Sequence, residues 1–150
     1  TVKQFYSDII WGDIDYMFID CPPGTGDVPL TIFQSIPIDG VVVVTTPQDL
    51  VSVIVGKAVH MADSMNIPVI GMIENMSYFI CPDCNNKHYI FGKSQLEQVI
   101  RDLYIGHAIR LPINPSLAGL MDRGEIEHME ANADLQEFAD LISTFDPDKY

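Results

Sequence analysis

Two cysteines lie three positions apart in Cys81-Pro82-Asp83-Cys84, and their type and spacing suit metal chemistry. A tight turn that carries two thiolates offers a bite that a soft metal prefers. A tetrahedral zinc ion or a [4Fe–4S] cluster takes four ligands, and the sequence has no second CxxC. His88, four residues after Cys84, is a possible third ligand, and Cys21 is an improbable one. Two copies related by a twofold axis would together supply four thiolates.

Two other interpretations of the cysteine pair stay open. A zinc site of the same shape would need the same thiolates. A thioredoxin-like redox pair is disfavoured, because the predicted position of the motif is a long loop over residues 77–91 and not a helix N-terminus.

A second candidate for chemistry is the octapeptide DCPPGTGD, whose first residue, Asp20, ends the apolar segment 15–20. An acid at the tip of a buried strand can contact a magnesium ion or its water shell. A glycine-bearing loop beside it can respond to a γ-phosphate. This order of residues is typical of a nucleotide hydrolase.

The elements that must position these residues alternate between strand and helix. Strands are predicted over 15–20, 39–46, 68–76 and, from a weaker pattern, 106–111. Helices are predicted over 3–11, 28–36, 49–66, 93–104, 114–123 and 134–145. This alternation predicts an α/β fold with a parallel sheet flanked by helices. The four consecutive valines from Val41 are expected to be buried on both faces. Ligands of such sheets bind at the carboxyl ends of the strands, where this chain has Asp20, the run 45–48 and the pair Glu74-Asn75.

Composition limits the partners and the compartment. The 150 residues carry 8 Lys and Arg against 21 Asp and Glu, a formal charge of −13, which argues against nucleic acid or an anionic membrane surface as the main partner. Three unevenly spaced cysteines do not make a disulfide framework, so a reducing cytoplasm is the expected location. The purely apolar runs are too short to span a bilayer.

Taken together and in order, four stretches of the sequence resemble the Mrp (ApbC) family of iron–sulfur carrier P-loop ATPases, which are related to MinD and ParA. They are WGDIDYMFIDCPPGTGD, VVVVTTPQDLVSV, IPVIGMIENMSYFICPDC and FGK. The resemblance implies a P-loop NTPase fold, ATP with magnesium as ligand, and a homodimer. It also implies a transferable [4Fe–4S] cluster bridged by Cys81 and Cys84 of two copies and delivered to apoproteins.

The resemblance also implies residue roles. Asp20 matches the acid near magnesium and the attacking water, and Gly24 matches the point where the backbone approaches the γ-phosphate. Asn75 matches the asparagine that reads the adenine edge, for which an amide offers both a donor and an acceptor. The segment Pro112 to Asn114 matches the one that touches the base, although the family commonly has Asp where this chain has Asn114.

One family motif is missing from these residues, the phosphate loop G-x-x-x-x-G-K-[ST]. Gly92-Lys93-Ser94 lacks the earlier glycine, since position 87 is Lys87, and is predicted to start a helix. Residues 1–150 are therefore expected to be the C-terminal part of a single Mrp-like domain, with the metal loop within 77–91. The alternatives are a MinD/ParA-like positioning ATPase, which CPDC between ENMS and FGK argues against, and a zinc-stapled interaction domain without enzymatic activity.

Overall fold

The computed structural model describes residues 2–48 and 51–149. Its sheet contains β1 (Val41–Thr45), β2 (Val69–Ile80), β3 (Lys87–His88) and β4 (Ala108–Pro112). β1 and β4 flank the first part of β2, and both run parallel to it. β3 pairs antiparallel with the last residues of β2, so β2 belongs to the parallel sheet and to a hairpin. The expected α/β class with a parallel sheet is confirmed.

Six α-helices and two short 3₁₀ turns accompany the sheet in the described part of the chain. The helices are α1 (Val2–Ser7), α2 (Asp27–Ser35), α3 (Val51–Ser64), α4 (Leu96–Asp102), α5 (Pro115–Asp122) and α6 (Ala133–Ser143), and the 3₁₀ turns are Ile126–His128 and Pro147–Lys149. Each predicted helix is present with shifted ends. Positions 49 and 50 of the predicted helix 49–66 lie outside the described residues.

Helices cover the sheet on both faces, as two adjacent residues of β2 show. Met72 is fully buried in a cluster with residues of β1, α3 and α4. Its neighbour Gly71 points to the opposite face, where a Cβ would come within 2.8 Å of Phe138 on α6. One face of β2 therefore packs against α3 and α4, and the other face packs against α6.

The burial of β1 differs from the expectation for four buried valines. Val43 is 7% exposed and packs in the core, whereas Val44 is 63% exposed. β1 has one hydrogen-bonded neighbour, β2, among the described residues, and successive side chains point to opposite faces. The apolar run therefore predicted the strand correctly, but only one of its faces is covered.

Two predicted segments need correction. Residues 15–20 form no strand, because none of the strands in the described part of the chain pairs with them, and a strand requires a hydrogen-bonding neighbour. The predicted helix 3–11 ends at Ser7. Residues 8–26, which we name the N-terminal arm, thus contain no helix or strand. The predicted loop 77–91 is instead largely a hairpin, since β2 continues to Ile80 and β3 returns over Lys87–His88.

No helix within residues 2–48 and 51–149 has the length and apolar character needed to cross a membrane.

Candidate metal and nucleotide site

The cysteine pair lies at the tip of the β2–β3 hairpin, residues 79–88, which we name the cysteine hairpin. Phe79 pairs with His88 and Ile80 with Lys87. The Cys81 N–H extends this ladder by donating to the Asn86 carbonyl at 3.0 Å, and the Asn85 N–H closes the turn on the Cys81 carbonyl at 2.9 Å. The turn is thus held by its own backbone.

The turn also prepares one thiol to act as an anion. Backbone N–H groups of Cys84 and then Asp83, followed by the Cys84 side chain, lower the pKa of Cys81 by hydrogen bonding to its sulfur. Because the thiolate is the form that ligates metals and acts as a nucleophile, this geometry favours metal binding at Cys81.

The third cysteine of the chain has the opposite environment. Burial, and secondarily the charge of the Asp20 carboxylate, raise the pKa of the Cys21 thiol. Cys21 lies on the N-terminal arm and is not part of the metal-ligating cluster. The expectation that Cys21 is an improbable ligand fits this environment.

One group of three potential metal ligands occurs in the described part of the chain: Cys81, Cys84 and His88. Their ligand atoms all lie within 4.8 Å of one another, with Cys81 half-buried and the other two exposed. The structure therefore places His88 beside the cysteines, although sequence spacing alone made it only a possible ligand.

The carboxyl end of β1 lies beside the middle of β2, because β2 continues past the predicted end at Glu74-Asn75 to Ile80. Thr45 is paired with Glu74, and the residues after β1 line a cavity of about 20 Å³ with Glu74, which has room for about one water molecule. The third expected strand end, at Asp20, is not a strand end, because residues 15–20 form no strand.

Asn75 and Pro112 are brought onto neighbouring strands. Glu74 pairs with Arg110 and Tyr78 with Pro112, so three residues of β2 lie opposite one of β4. This irregularity includes Met76 at φ +54°, and the exposed Asn75 lies within it. A local distortion next to Asn75 is typical of positions where a strand turns a side chain toward a ligand.

Two asparagines predicted to serve the nucleotide make local hydrogen bonds. Asn75 Oδ1 accepts the Met76 N–H at 2.9 Å. Asn114 Oδ1 accepts the Ser116 N–H at 3.0 Å and caps α5, which begins at Pro115. An N-cap is a structural use of the asparagine side chain, so the segment after β4 is fixed where β4 ends.

Asp20 and Gly24 lie on the N-terminal arm, and both are exposed. Gly24 has φ +89°, and a Cβ built there would meet nothing within 4 Å. The glycine is therefore required by its backbone conformation and not by crowding. Neither residue belongs to a strand of the sheet that contains Asn75 and Pro112.

Sequence reasoning missed a buried polar network at the base of the cysteine hairpin. Glu74 is 3% exposed and accepts hydrogen bonds from the Ser77 hydroxyl and, at 2.9 Å, from the Ser94 hydroxyl. Arg110 Nε lies 3.7 Å from the Glu74 carboxylate and donates to Ser94 Oγ at 3.1 Å. A buried carboxylate needs such partners, but its partners are 3, 20 and 36 positions away, so no local pattern indicated them.

The contacts of Ser94 show the structural role of Gly92-Lys93-Ser94, which is to lead into α4. Its hydroxyl accepts the N–H of Leu96, the first residue of α4, at 3.1 Å. Lys93 and Ser94 precede the helix, which begins at Leu96 and not at Lys93 as predicted, and the serine ties that helix to Glu74.

Comparison with known proteins gives a family match over almost the whole chain. Residues 1–145 match the family described as "ParA: NUBPL iron-transfer P-loop NTPase". An iron-sulfur cluster carrier protein of Methanocaldococcus jannaschii is 47% identical over 125 residues, which are 83% of this chain and 43% of that protein. The protein of the same name in Methanococcus maripaludis is 39% identical over 96% of this chain and 50% of its own length.

Two further similarities come from a eukaryote and from a solved structure. A probable cytosolic Fe-S cluster assembly factor of Schizosaccharomyces japonicus is 40% identical over 85% of this chain and 22% of its own length. A nucleotide-binding protein of Archaeoglobus fulgidus, solved in complex with ADP and with cobalt found in it, is 40% identical with a TM-score of 0.79, covering 87% of this chain and 54% of that one. The chain spans about half or less of the length of the curated relatives it matches.

Proposed function

This chain belongs to the NUBPL iron-transfer P-loop NTPases, and from that premise we propose that it carries an iron–sulfur cluster and that the whole protein binds and hydrolyses ATP. The observation that carries the proposal is the preformed turn of the cysteine hairpin, where backbone N–H groups favour the thiolate of Cys81. The names of the relatives, which are iron-sulfur cluster carrier proteins, support it.

The cargo is a [4Fe–4S] cluster held by Cys81 and Cys84 from each of two copies. Such a cluster takes four thiolates, and one copy contributes a single pair at a suitable turn. Cys21 does not complete the set, because burial and Asp20 disfavour its thiolate. A homodimer that bridges the cluster satisfies this count, and apoproteins that need a cluster are its recipients.

In the whole protein, the nucleotide would be bound by two regions of this chain. Asp20 would supply a carboxylate oxygen, the kind of ligand that magnesium prefers, near the attacking water. Gly24, which has no Cβ to block a ligand, would let a backbone N–H approach the γ-phosphate. Magnesium, when bound, would neutralise charge on the phosphates.

The base of the nucleotide would lie where the middle of β2 runs beside the end of β4. Asn75 and Pro112 are on these neighbouring strands, and an amide can both donate to and accept from an adenine edge. Asn114 uses its side-chain oxygen to cap α5, so its part in this proposal is to hold the segment after Pro112 in place.

The proposed partners and location follow from charge and thiol chemistry. A formal charge of −13 is unfavourable for nucleic acid or an anionic membrane surface, so neither is a proposed partner. A transferable cluster and reduced thiols fit the cytoplasm, and the Schizosaccharomyces japonicus relative is named a cytosolic factor.

Anaerobic reconstitution with iron and sulfide tests the carrier function. We expect about four irons per two chains, with a shift toward the dimer on gel filtration. Cys81→Ala and Cys84→Ala should each abolish cluster uptake, while Cys21→Ala serves as the matched control and should retain it. A cluster taken up by the monomer, or loss of the cluster in the Cys21 variant, would contradict the proposal.

A further inference from the structure

The cysteine hairpin carries three metal-ligating side chains, one more than a cluster bridged by two cysteine pairs requires. Cys81, Cys84 and His88 have their ligand atoms within 4.8 Å of one another. We propose that a single copy of the chain binds one zinc-type divalent ion through the two sulfurs and a ring nitrogen of His88, with the fourth tetrahedral position open.

The strand register explains why His88 reaches the cysteines. His88 is directly opposite Phe79, and cross-strand partners point to the same face of a ladder. Cys81 is two residues beyond Phe79, and side chains two apart along a strand share a face. The antiparallel return of the chain therefore places an imidazole next to the thiol.

The same register keeps the positive charge of Lys87 on the other face. Lys87 is paired with Ile80, and its Nζ lies 4.2 Å from the centre of the Tyr78 ring. An ammonium held against an aromatic ring is stabilised there. No competing cation of the hairpin therefore faces the three ligands.

The ligand separations fit a tetrahedral ion after a small closure. Bonds of about 2.3 Å to sulfur and about 2.0 Å to nitrogen give ligand–ligand distances of roughly 3.4–3.8 Å. The upper limit of 4.8 Å exceeds these distances by roughly 1 Å, a movement that the exposed side chains of Cys84 and His88 can make by rotation. Two sulfurs and one nitrogen form a donor set that suits Zn²⁺ and Co²⁺.

This inference does not rest on the carrier function. A mononuclear ion needs one chain and His88, whereas the proposed bridged cluster needs two chains and only cysteines. The two sites share Cys81 and Cys84 but differ in stoichiometry and in their dependence on the histidine.

Anaerobic titration of the 150-residue chain with Co²⁺ tests the site through the visible bands of tetrahedral cobalt. We expect one Co²⁺ per chain in the monomer fraction. His88→Gln should weaken Co²⁺ binding at least ~10-fold, because even loss of a residue that only supports a ligand costs about that much. His60→Gln, a substitution at an exposed histidine on α3, is the matched control and should leave the affinity unchanged.

X-ray absorption of the zinc-loaded wild type tests the same site without a variant. Two sulfurs and an imidazole nitrogen per zinc are expected. Four sulfurs per zinc, one ion per two chains, or equal Co²⁺ affinity of His88→Gln and the wild type would each overturn the proposal. Reconstitution of His88→Gln with iron and sulfide is expected to give the bridged cluster, so failure of the cluster and failure of the mononuclear site are seen separately.

Discussion

The cysteine hairpin and the N-terminal arm both carry residues expected to do chemistry, and they differ in how they hold them. The hairpin closes its hydrogen bonds over ten residues and brings Cys81, Cys84 and His88 together. The arm carries Asp20 and Gly24 on a stretch without helix or strand. A metal-binding turn is thus a local structure, whereas a strand-end carboxylate acquires its place only from neighbouring strands.

The largest difference between these regions is expected in how much a substitution in each lowers the free energy of unfolding of the chain. Phe138 on α6 is 3% exposed and packs on β2, which continues into the cysteine hairpin, whereas Phe18 on the arm is 76% exposed. Phe138→Ala should lower the free energy of unfolding by about 3–5 kcal/mol through a lost core contact and a cavity. Phe18→Ser, at an exposed position, should change it by less than about 0.5 kcal/mol.

Urea unfolding of the chain followed by circular dichroism measures both values. Similar losses in the two variants would show that the arm is packed as firmly as the sheet and would remove the contrast.

The next effect concerns catalysis by the whole protein. Asp20→Asn keeps the shape of the side chain and removes its charge, so ATP hydrolysis should fall by about 10²-fold or more, as for loss of a positioned electrostatic group. ATP binding should change much less. Asp13→Asn, also exposed on the arm, is the control for a lost charge and should hydrolyse ATP normally in a steady-state assay. Unchanged turnover in Asp20→Asn would remove this residue from the mechanism.

A smaller effect is expected at the base of the hairpin. Glu74→Ala leaves the fully buried Ser77 hydroxyl and the Arg110 guanidinium without their carboxylate partner. Such a loss costs about 1–3 kcal/mol of folding free energy. Glu97→Gln alters an exposed partner that lies 3.0 Å from Arg110, and an exposed ion pair contributes at most about 1 kcal/mol.

Denaturant midpoints of the Glu74 and Glu97 variants decide this point. If the Glu97 variant lost as much stability as the Glu74 variant, the buried hydrogen bonds of Glu74 would contribute no more to folding than the exposed ion pair.

The smallest effect is a difference in thiol reactivity. Hydrogen bonds from Cys84 and Asp83 lower the pKa of Cys81, while burial and Asp20 raise the pKa of Cys21. At pH 7 the lower pKa gives the larger thiolate fraction, which changes about tenfold per pKa unit, so iodoacetamide should modify Cys81 before Cys21. As the pH rises past the ordinary range of thiols, Cys21 also ionises and the difference narrows.

Peptide mapping by mass spectrometry follows each cysteine. The urea-unfolded chain is the control, because both shifts arise from the fold and the two rates should converge there. Faster labelling of Cys21 in the folded chain would contradict the thiol environments described above.

Local sequence signals predicted much of the sheet correctly. The valine run predicted β1, and the apolar stretch from Val69 predicted the first part of β2, because buried strands need continuous apolar side chains. The same signal failed over residues 15–20, whose four apolar side chains have no strand beside them within the described residues. Composition cannot report whether a neighbour is present.

The features of the candidate site also fall into two groups, those set by adjacent residues and those set by contacts between separate segments. Two cysteines on one turn, a glycine with a positive φ and a serine at a helix start depend on a few adjacent residues, so the sequence by itself determined them. The position of Asn75 in the irregular stretch beside β4, the approach of His88 to Cys81, and the partners of Glu74 were decided only by tertiary structure. Each of these three arrangements depends on the register between two strands or segments that are not adjacent in sequence. That register is set by side-chain packing and by hydrogen bonds across the strands.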